Sequence, residues 1–187
     1  QAEDGIRDSV ASRGLGDVYK RQVLMERHFT STTFVLHPKE NKILLHWHNK
    51  VNTWLPPGGH VEDNETPVDT VKREALEETG LKIHLFNFNS RMAKRKFNGI
   101  EEIQSPYTIL LEGIDDPENG EHIHIDMIYF SKALNISDLK KGWFWATEKD
   151  LKGNVNLNFD NSNNAKIQDD VKYFGLKCIE LRRKYGN

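Results

Sequence analysis

Cysteine is nearly absent from this sequence, which has only Cys178 among its 187 residues. A single thiol excludes an intrachain disulfide and a metal cluster held by several thiolates. This cysteine usage fits a reducing compartment, and we expect a cytoplasmic protein. Long apolar runs are also absent, since no stretch approaches the roughly 20 residues that a transmembrane helix needs. We therefore expect no membrane partner.

An excess of charge of one sign is lacking as well. Lysine and arginine number 26, aspartate and glutamate 28, which gives a formal net charge of −2 and an isoelectric point of about 6.5. A chain without a large positive field is not expected to bind nucleic acid. A small anionic substrate would therefore need local compensation of its charge, for example by metal ions.

The first 24 residues differ in character from the rest of the chain. Residues 1–24 contain few core-type side chains and no sustained periodicity, and they resemble a translated adapter or vector sequence. Met25 fits a natural start, and a strand-like pattern begins soon after it. We expect residues 1–24 to be a non-native or disordered leader and residues 25–187 to form one domain. A genuine flexible arm is the alternative.

Short runs of β-branched and aromatic residues, separated by turn residues, predict a series of strands. They lie at residues 30–36, 42–46, 81–86, 107–111, 123–130 and 143–145, with turns at 37–41 and 115–120 and an asparagine-rich loop at 154–164. Thr147 opens a brief helical turn. A C-terminal helix has an amphipathic face formed by Ile167, Val171, Phe174, Cys178 and Leu181. We predict one α/β domain with a mixed sheet packed by helices.

The clearest helix in the sequence follows a proline- and glycine-rich segment. Residues 54–59 (WLPPGG) predict a shaped loop without regular structure. After it, Thr66 is a good N-cap, Pro67 fits the first helical position and Asp69 completes a capping-box-like pair. Gly80 marks the C-terminal end of the helix. Its predicted buried side consists of Val68, Val71 and Ala75.

Three glutamates, Glu74, Glu77 and Glu78, stand on one face of this helix at spacings i, i+3 and i+4. Like charges at these spacings repel, so the helix gains nothing from them unless a cation lies among them. Mg²⁺ is bound through carboxylate oxygens and substrate phosphates, which makes a site for a metal-bound diphosphate one interpretation. A solvated helix face is the other, because that is the usual setting of a charge run.

The spacing around the glutamates decides between these interpretations. Gly59 is followed after five residues by Glu65, and after seven more by residues 73–81 (REALEETGL). This pattern matches the Nudix box at every specified position, and residues 55–59 (LPPGG) resemble the entry loop of that family. The chain is identified as a member of the Nudix hydrolases. The resemblance implies an α/β/α sandwich with a mixed sheet, and metal-dependent hydrolysis of a phosphoanhydride bond in a nucleotide-like substrate.

The resemblance also implies a role for each matching residue. Glu74, Glu77 and Glu78 look like the catalytic metal ligands, for Mg²⁺ or for Mn²⁺ as a substitute. The Gly58 carbonyl is expected to add an oxygen, since glycine lets the backbone approach closely. A structural ion pair that braces the loop against the helix is implied for Glu65 and Arg73. Phosphate contact is the alternative for this arginine.

A general base has to take the proton of the attacking water. In the family this is a box glutamate or an acidic residue on a distant loop. Glu74 is therefore one candidate, and Asp138 on the loop before Trp143 is another. Competitors among the remaining acidic residues are Glu112, Asp115, Asp116 and Glu121.

Features outside the box allow less definite roles. His122, His124 and Asp126 alternate, so on a strand they share one face. They fit a second metal or contacts to a substrate base or sugar, and a solvated strand face is the alternative. Two roles fit the next group of aromatic residues: a platform on which a base stacks, or packing that anchors the core and the loop. The group consists of His46, Trp47, His48 and Trp54. The basic run at residues 91–96 fits distal phosphates or a solvated loop.

Two functions of different class follow from these patterns. The first is hydrolysis of the diphosphate bond in a nucleoside diphosphate linked to another moiety, as in nucleotides, nucleotide sugars or dinucleotides. The second is a catalytically inactive Nudix-fold nucleotide sensor or interaction module. The intact glutamates favour the enzyme. A diphosphate isomerase is disfavoured because Cys178 lies late in the chain, on the C-terminal helix. The resemblance also allows a homodimer, since dimers are common in such families.

Overall fold

The computed structural model describes residues 25–88, 96–116, 120–153 and 167–185. Three predicted features lie wholly or mostly outside these residues: the leader at 1–24, the basic run at 91–96 and the asparagine-rich loop at 154–164. The middle of the predicted turn at 115–120 is outside them as well. None of the helices in the described residues combines the length and the apolar character that a membrane span requires.

Ten strands and three helices are formed by the described residues. They are β1 (Arg27–Leu36), β2 (Lys42–His48), β3 (Thr53–Leu55), β4 (Gly58–His60), α1 (Pro67–Thr79), β5 (Ile83–Leu85), β6 (Lys96–Phe97), β7 (Ile100–Glu101), β8 (Thr108–Asp116), β9 (Gly120–Ala133), β10 (Trp143–Thr147), α2 (Glu148–Lys152) and α3 (Asp169–Tyr185). Every strand predicted from the sequence has a counterpart among them. The short pair β6–β7 was not predicted.

The sheet is mixed because its two longest strands run in the same direction. Its order is β10-β2-β1-β9-β5, with β3 beside β2, β4 beside β1 and β8 beside β9. β1 and β9 are parallel, with Arg27 opposite Ile123 and Leu36 opposite Lys132. The hairpin between β1 and β2 and the other pairings of this sheet are antiparallel.

The proline- and glycine-rich segment has more regular structure than predicted. Residues 53–55 pair with β2, and residues 58–60 pair with β1, where Gly58 lies opposite Thr32. The two prolines stand between these strands, where a missing N–H costs no ladder hydrogen bond. Thr33 N donates to the Pro57 carbonyl at 3.0 Å. The prediction of an irregular loop was therefore wrong, because pairing with a distant strand overrides the local signal.

The helix α1 covers one face of the sheet. Thr66 Oγ1 accepts from Asp69 N, and the Asp69 carboxylate accepts from Thr66 N, so both halves of the capping box are formed. Gly80 ends the helix in the left-handed conformation, with φ of 79°. The predicted bounds of this helix are confirmed. Its buried residues are Thr70, Val71, Ala75 and Thr79.

The helix α3 covers the opposite face. Its buried residues Val171, Phe174 and Cys178 belong to the same core cluster as Phe34 and Leu36 of β1. The apolar residues beneath α1, in contrast, are Leu85 of β5 and Tyr129 of β9, beside Val71. Alternate side chains of the strands thus face different helices. This arrangement confirms the predicted α/β/α sandwich with a mixed sheet.

Candidate active site

The glutamates of α1 lie against the glycine strand β4. Gly58 N donates to Glu78 Oε2 at 3.2 Å. A Cβ atom added to Gly59 would overlap the Glu74 carboxylate. Glu77 is more open, with 61% of its side chain exposed. The sandwich therefore brings three carboxylates and two glycine backbones together at one place.

The glycines at positions 58 and 59 are required by close contacts. A Cβ atom on Gly58 would lie 2.6 Å from Thr32 Oγ1 and 2.8 Å from Thr32 Cα in the neighbouring strand. A Cβ atom on Gly59 would meet Glu74, with its Cδ at 2.6 Å. Cβ atoms essentially never come this near to other atoms. At position 58 only glycine lets β4 lie this close to the backbone of β1, and at position 59 glycine leaves space for the Glu74 carboxylate.

Arg73 connects the loop before α1 to the glutamates. Its Nε donates to Glu65 Oε1 at 2.6 Å and its Nη2 to Glu65 Oε2 at 2.9 Å, which is a bidentate pair. Its Nη1 donates to Glu74 at 2.7 Å and to Glu77 at 3.2 Å. Nη2 also reaches the His60 carbonyl at 3.2 Å. The guanidinium thus has protein partners on both of its edges.

The carboxylates carry negative charge that the protein does not fully compensate. Burial raises the pKa of Glu78 to about 7, and the charges of Glu74 and Glu77 act in the same direction. The hydrogen bond from Gly58 N lowers this pKa only in part. A divalent cation among these oxygens would remove the repulsion. Carboxylate oxygens are the donors that Mg²⁺ and Mn²⁺ prefer, so the residues fit such an ion.

The loop that carries Asp138 packs on the C-terminal end of α1. Trp143 Nε1 donates to the Glu78 carbonyl at 3.0 Å, Lys140 N donates to the Thr79 carbonyl at 2.9 Å, and Lys140 Nζ donates to the Glu77 carbonyl. The Asp138 carbonyl lies so close to Gly80 that a Cβ there would overlap it. Six residues of helix, about 9 Å of rise, separate Gly80 from Glu74. Asp138 stays a candidate general base.

The tryptophan predicted as a stacking platform lies in the core. Trp54 is 1% exposed. It pairs across the strands with Trp47, and its ring also contacts Phe144. A residue so enclosed offers no open ring face to a substrate. Of the two roles that the sequence left open for Trp54, its burial therefore favours core packing over base stacking.

His124 and Asp126 lie on the face of the sheet that is opposite α1. Asp126 is buried, accepts from Thr30 Oγ1 at 3.0 Å, and has a raised pKa because of its burial. Glu112 lies opposite His124 in the β8–β9 pair. Burial raises the pKa of Glu112 to about 7, and the charge of Asp126 adds to this effect. These groups are separated from the glutamates of α1 by the sheet, and their contact with a substrate stays a prediction.

The contacts of three side chains near the site were not predicted from the sequence. Lys140 and Trp143 bind the last turn of α1 from a loop more than 60 residues later in the chain. His28 lies opposite His124 through the β1–β9 pairing. No local pattern signals such contacts, because they depend on which strands become neighbours. Trp143 was predicted only as the first residue of a short strand.

Glu65→Gln is expected to lower the melting temperature at neutral pH and to lose this effect in acid. The hydrogen bond from Arg73 lowers the pKa of Glu65 from 4.5 to about 2. A carboxyl group whose pKa is lower in the folded than in the unfolded state stabilises the protein at pH values above its unfolded-state pKa. This stabilisation is lost as the pH falls from the unfolded-state pKa through the folded-state pKa. The difference in melting temperature between wild type and variant should be constant above pH 5 and shrink between pH 4.5 and 2.

Glu62→Gln is the matched control for this prediction, because Glu62 is 3.9 Å from Arg73 and 68% exposed. Its melting temperature should follow that of the wild type. Thermal unfolding by circular dichroism across this pH range measures all three proteins. A difference that persists unchanged at pH 3 would contradict the assigned ion pair.

Comparison with known proteins shows which family the chain belongs to. A family model described as the NUDIX domain matches residues 27–152. Among solved structures, a NUDIX-family hydrolase from Clostridium perfringens is 30% identical, with a TM-score of 0.63, over 84% of this chain and 99% of that one. An Ap4A hydrolase of C. elegans shares the fold, with a TM-score of 0.56 and 12% identity over 84% of this chain and 99% of that one.

A curated relative matches over a shorter stretch. The m7GpppN-mRNA hydrolase NUDT17 of Danio rerio is 51% identical over 41 residues, which are 22% of this chain. The match spans only 14% of the length of that protein. The family model, by contrast, extends from the first residue of β1 to the last residue of α2. The chain therefore belongs to the Nudix family, and its described residues have the fold of a Nudix hydrolase.

Proposed function

We propose that this protein is a Mg²⁺-dependent pyrophosphohydrolase that cleaves the diphosphate bond of a nucleoside diphosphate linked to another moiety. The observation that carries the proposal is the contact of the α1 glutamates with the glycine strand. Glu78 accepts from Gly58 N, and Glu74 fills the space beside Gly59. Three carboxylates, whose charge Arg73 compensates only in part, meet there at two glycines that have no side chain to exclude a phosphate.

The metal would be held by Glu74, Glu77, Glu78 and the Gly58 carbonyl. Bound there, Mg²⁺ or Mn²⁺ would neutralise the diphosphate and lower the pKa of the attacking water. Gly58 would contribute two backbone groups. Its carbonyl oxygen would bind the metal, and its N–H donates to Glu78 at 3.2 Å. This hydrogen bond fixes one carboxylate oxygen, and the other would bind the metal.

Arg73 would act by positioning and not by touching the substrate. Its guanidinium holds Glu74 at 2.7 Å and Glu77 at 3.2 Å while Glu65 occupies its other edge at 2.6 and 2.9 Å. Since these acceptors and the His60 carbonyl engage all three of its nitrogens, phosphate contact is the less favoured role for Arg73. The ion pair instead sets the rotamers of the two glutamates before any ligand binds.

We propose Glu74 as the general base in preference to Asp138. The Glu74 carboxylate lies at Gly59, beside the other proposed ligands. Asp138 is tied through its main chain to Gly80, at the far end of α1. A base must reach the proton that it removes directly or through one water, which favours the nearer residue.

The substrate class is proposed from the bond that the relatives' names share. The matched proteins from Danio rerio and C. elegans are named as hydrolases of an mRNA cap and of Ap4A. In both kinds of compound, phosphoanhydride bonds join nucleosides. We expect this protein to hydrolyse a small nucleotide-like compound of this kind, while the groups that distinguish one nucleoside from another lie outside the Nudix box.

The full-length chain, assayed with Mg²⁺ or Mn²⁺, tests this proposal. The panel consists of a nucleoside triphosphate, a nucleotide sugar, a dinucleoside tetraphosphate and a capped dinucleotide, with products separated by ion-exchange chromatography. We expect turnover of at least one compound, abolished by chelation and restored by adding the metal back. Tight binding of a nucleotide without turnover of any compound would support the alternative, an inactive nucleotide sensor or interaction module.

A further inference from the structure

Four histidines from three strands meet on the face of the sheet opposite α1. We name them the histidine cluster: His28, His60, His122 and His124. The parallel register of β1 and β9 sets His28 opposite His124, and the antiparallel register of β1 and β4 sets His60 opposite Thr30. Directly paired residues project from the same face, as do residues two apart on a strand. All four imidazoles therefore converge.

The imidazole nitrogens are close enough to share one ion. One ring nitrogen from each of His28, His60 and His124 lies within 4.8 Å of the others. The ring centroids are 5.2 Å apart for His28 and His60 and 5.0 Å for His60 and His124. A tetrahedral ion at about 2.0–2.1 Å from each nitrogen needs nitrogens about 3.3 Å apart. Rotation of the imidazole rings can make up the remaining difference.

One nitrogen in the cluster is buried without a partner. His28 Nδ1 makes no hydrogen bond among the described residues, although it is buried. The other nitrogen of the same ring, Nε2, lies 3.3 Å from Glu26 Oε1. A buried polar atom without a partner is rare and calls for an explanation. A carboxylate on the far side of an imidazole is the usual companion of a histidine that binds metal.

A second pair of nitrogens faces each other. His122 Nε2 and His124 Nε2 are 3.1 Å apart, and His122 Nδ1 lies 2.9 Å from the Gly120 carbonyl. If the Gly120 carbonyl accepts the Nδ1 proton, His122 Nε2 presents a lone pair toward His124. A hydrogen bond in which His124 Nε2 donates its proton then accounts for the contact without an ion. The contact places His122 next to His124 and does not by itself show a ligand.

We propose that the histidine cluster binds a Zn²⁺-like transition-metal ion through His28, His60 and His124, with His122 beside them as a hydrogen-bond partner of His124. Imidazole nitrogen suits Zn²⁺, Ni²⁺ and Cu²⁺, whereas Mg²⁺ prefers oxygen. Three protein ligands leave the fourth position of a tetrahedral ion to a water molecule. The ion would tie β4 to β1 and β9, next to the glycines that contact α1.

The proposed ion differs from the Mg²⁺ at the glutamates in both place and chemistry. His60 follows Gly59 directly on β4, so the two residues face opposite sides of the strand. Gly59 faces the Glu74 carboxylate, and His60 faces the other imidazoles. The strand β4 therefore stands between an oxygen site and a nitrogen site. Each site can therefore be tested with an ion that the other site disfavours.

The test uses the full-length chain, purified without a polyhistidine tag and stripped of metal with a chelator. Zn²⁺ and Co²⁺ are titrated in the presence of excess Mg²⁺, and binding is followed by equilibrium dialysis and by the visible spectrum of Co²⁺. We expect one ion per chain, a tetrahedral Co²⁺ spectrum and a higher melting temperature with Zn²⁺. His124→Gln and His28→Gln should each weaken binding about tenfold or more.

Two control variants separate this site from other metal-binding residues. His84→Gln removes an exposed histidine on β5, outside the cluster, and should leave Zn²⁺ binding unchanged. Glu77→Gln, at the glutamates, should also bind Zn²⁺ as the wild type does. Equal Zn²⁺ binding by the wild type and by His28→Gln, which changes a partly exposed side chain, would overturn the proposal. So would loss of Zn²⁺ binding in Glu77→Gln alone.

Discussion

Replacing Glu77 with glutamine is expected to lower kcat about 10²- to 10³-fold and to leave the fold intact. The substitution removes one of the proposed metal-binding charges while keeping almost the same side-chain volume. A charge that stabilises the transition state at a metal contributes several kcal/mol. The fold depends little on this side chain, since Glu77 is 61% exposed and its contact with Arg73 is a surface ion pair.

The dependence on Mg²⁺ distinguishes a metal ligand from a merely structural residue. In Glu77→Gln the Mg²⁺ concentration that gives half-maximal rate should rise, and excess Mg²⁺ should recover part of the lost activity. The change in melting temperature should stay below about 4 °C. Steady-state kinetics across a range of Mg²⁺ concentrations, with thermal unfolding of the same samples, measures these quantities.

Glu180→Gln is a matched control for Glu77→Gln. Glu180 also lies on a helix, is also 61% exposed and also pairs with one cationic side chain, Lys177, at 2.9 Å. Its replacement should change neither kcat nor the Mg²⁺ dependence. Wild-type kinetics in Glu77→Gln would show that this residue is not a ligand, and the proposed metal site would then need other residues.

The helix α1 could be predicted from the sequence because its signals are local. Thr66 and Asp69 form the capping box, Pro67 fixes the first turn, and Gly80 takes the left-handed conformation that ends the helix. Each signal acts within a few residues of its own position. The three glutamates lie on one face of the helix because of the helical repeat alone. The same locality explains why the C-terminal helix and the first hairpin were predicted correctly.

The strand β4 and the burial of Trp54 could not be predicted because they depend on distant partners. Gly58 and Gly59 signal a loop when judged from the sequence, and they become a strand only because β1 lies beside them. Trp54 is near a loop in sequence, yet the pairing of β3 with β2 turns it into the core. Pairing energies of this kind exceed local propensity, which is a weak guide for short strands.

The histidine cluster could not be predicted either, because it too depends on partners that are distant in the sequence. The alternation of His122 and His124 was visible within one strand, but the partners at positions 28 and 60 come from strands about 60 to 100 residues earlier. A single strand gives no indication of what lies across from it. The placement of a side chain on a strand face can be predicted locally, whereas its ligand partners cannot.

Replacing Gly59 with alanine is expected to lower kcat about 100-fold or more. The added Cβ atom would overlap the Glu74 carboxylate, so either the strand or the carboxylate has to move. A displacement of about 1 Å in catalytic geometry costs on the order of 10²-fold in rate. The overlapped atoms are the far end of a flexible side chain, so the carboxylate can move at little cost and the variant should stay folded. Thermal unfolding of the same samples checks this.

Gly113→Ala is the control that separates the overlap from the general effect of adding a methyl group to a strand glycine. Gly113 lies in β8, and a Cβ atom added there would have no heavy atom within 4 Å. Alanine is favoured over glycine inside a strand, so the control should keep its activity and should not be destabilised. If Gly59→Ala remains fully active while folded, Glu74 has room to move without loss of function. The close fit between β4 and α1 would then be a matter of packing, and the proposed base would have to be sought at Asp138.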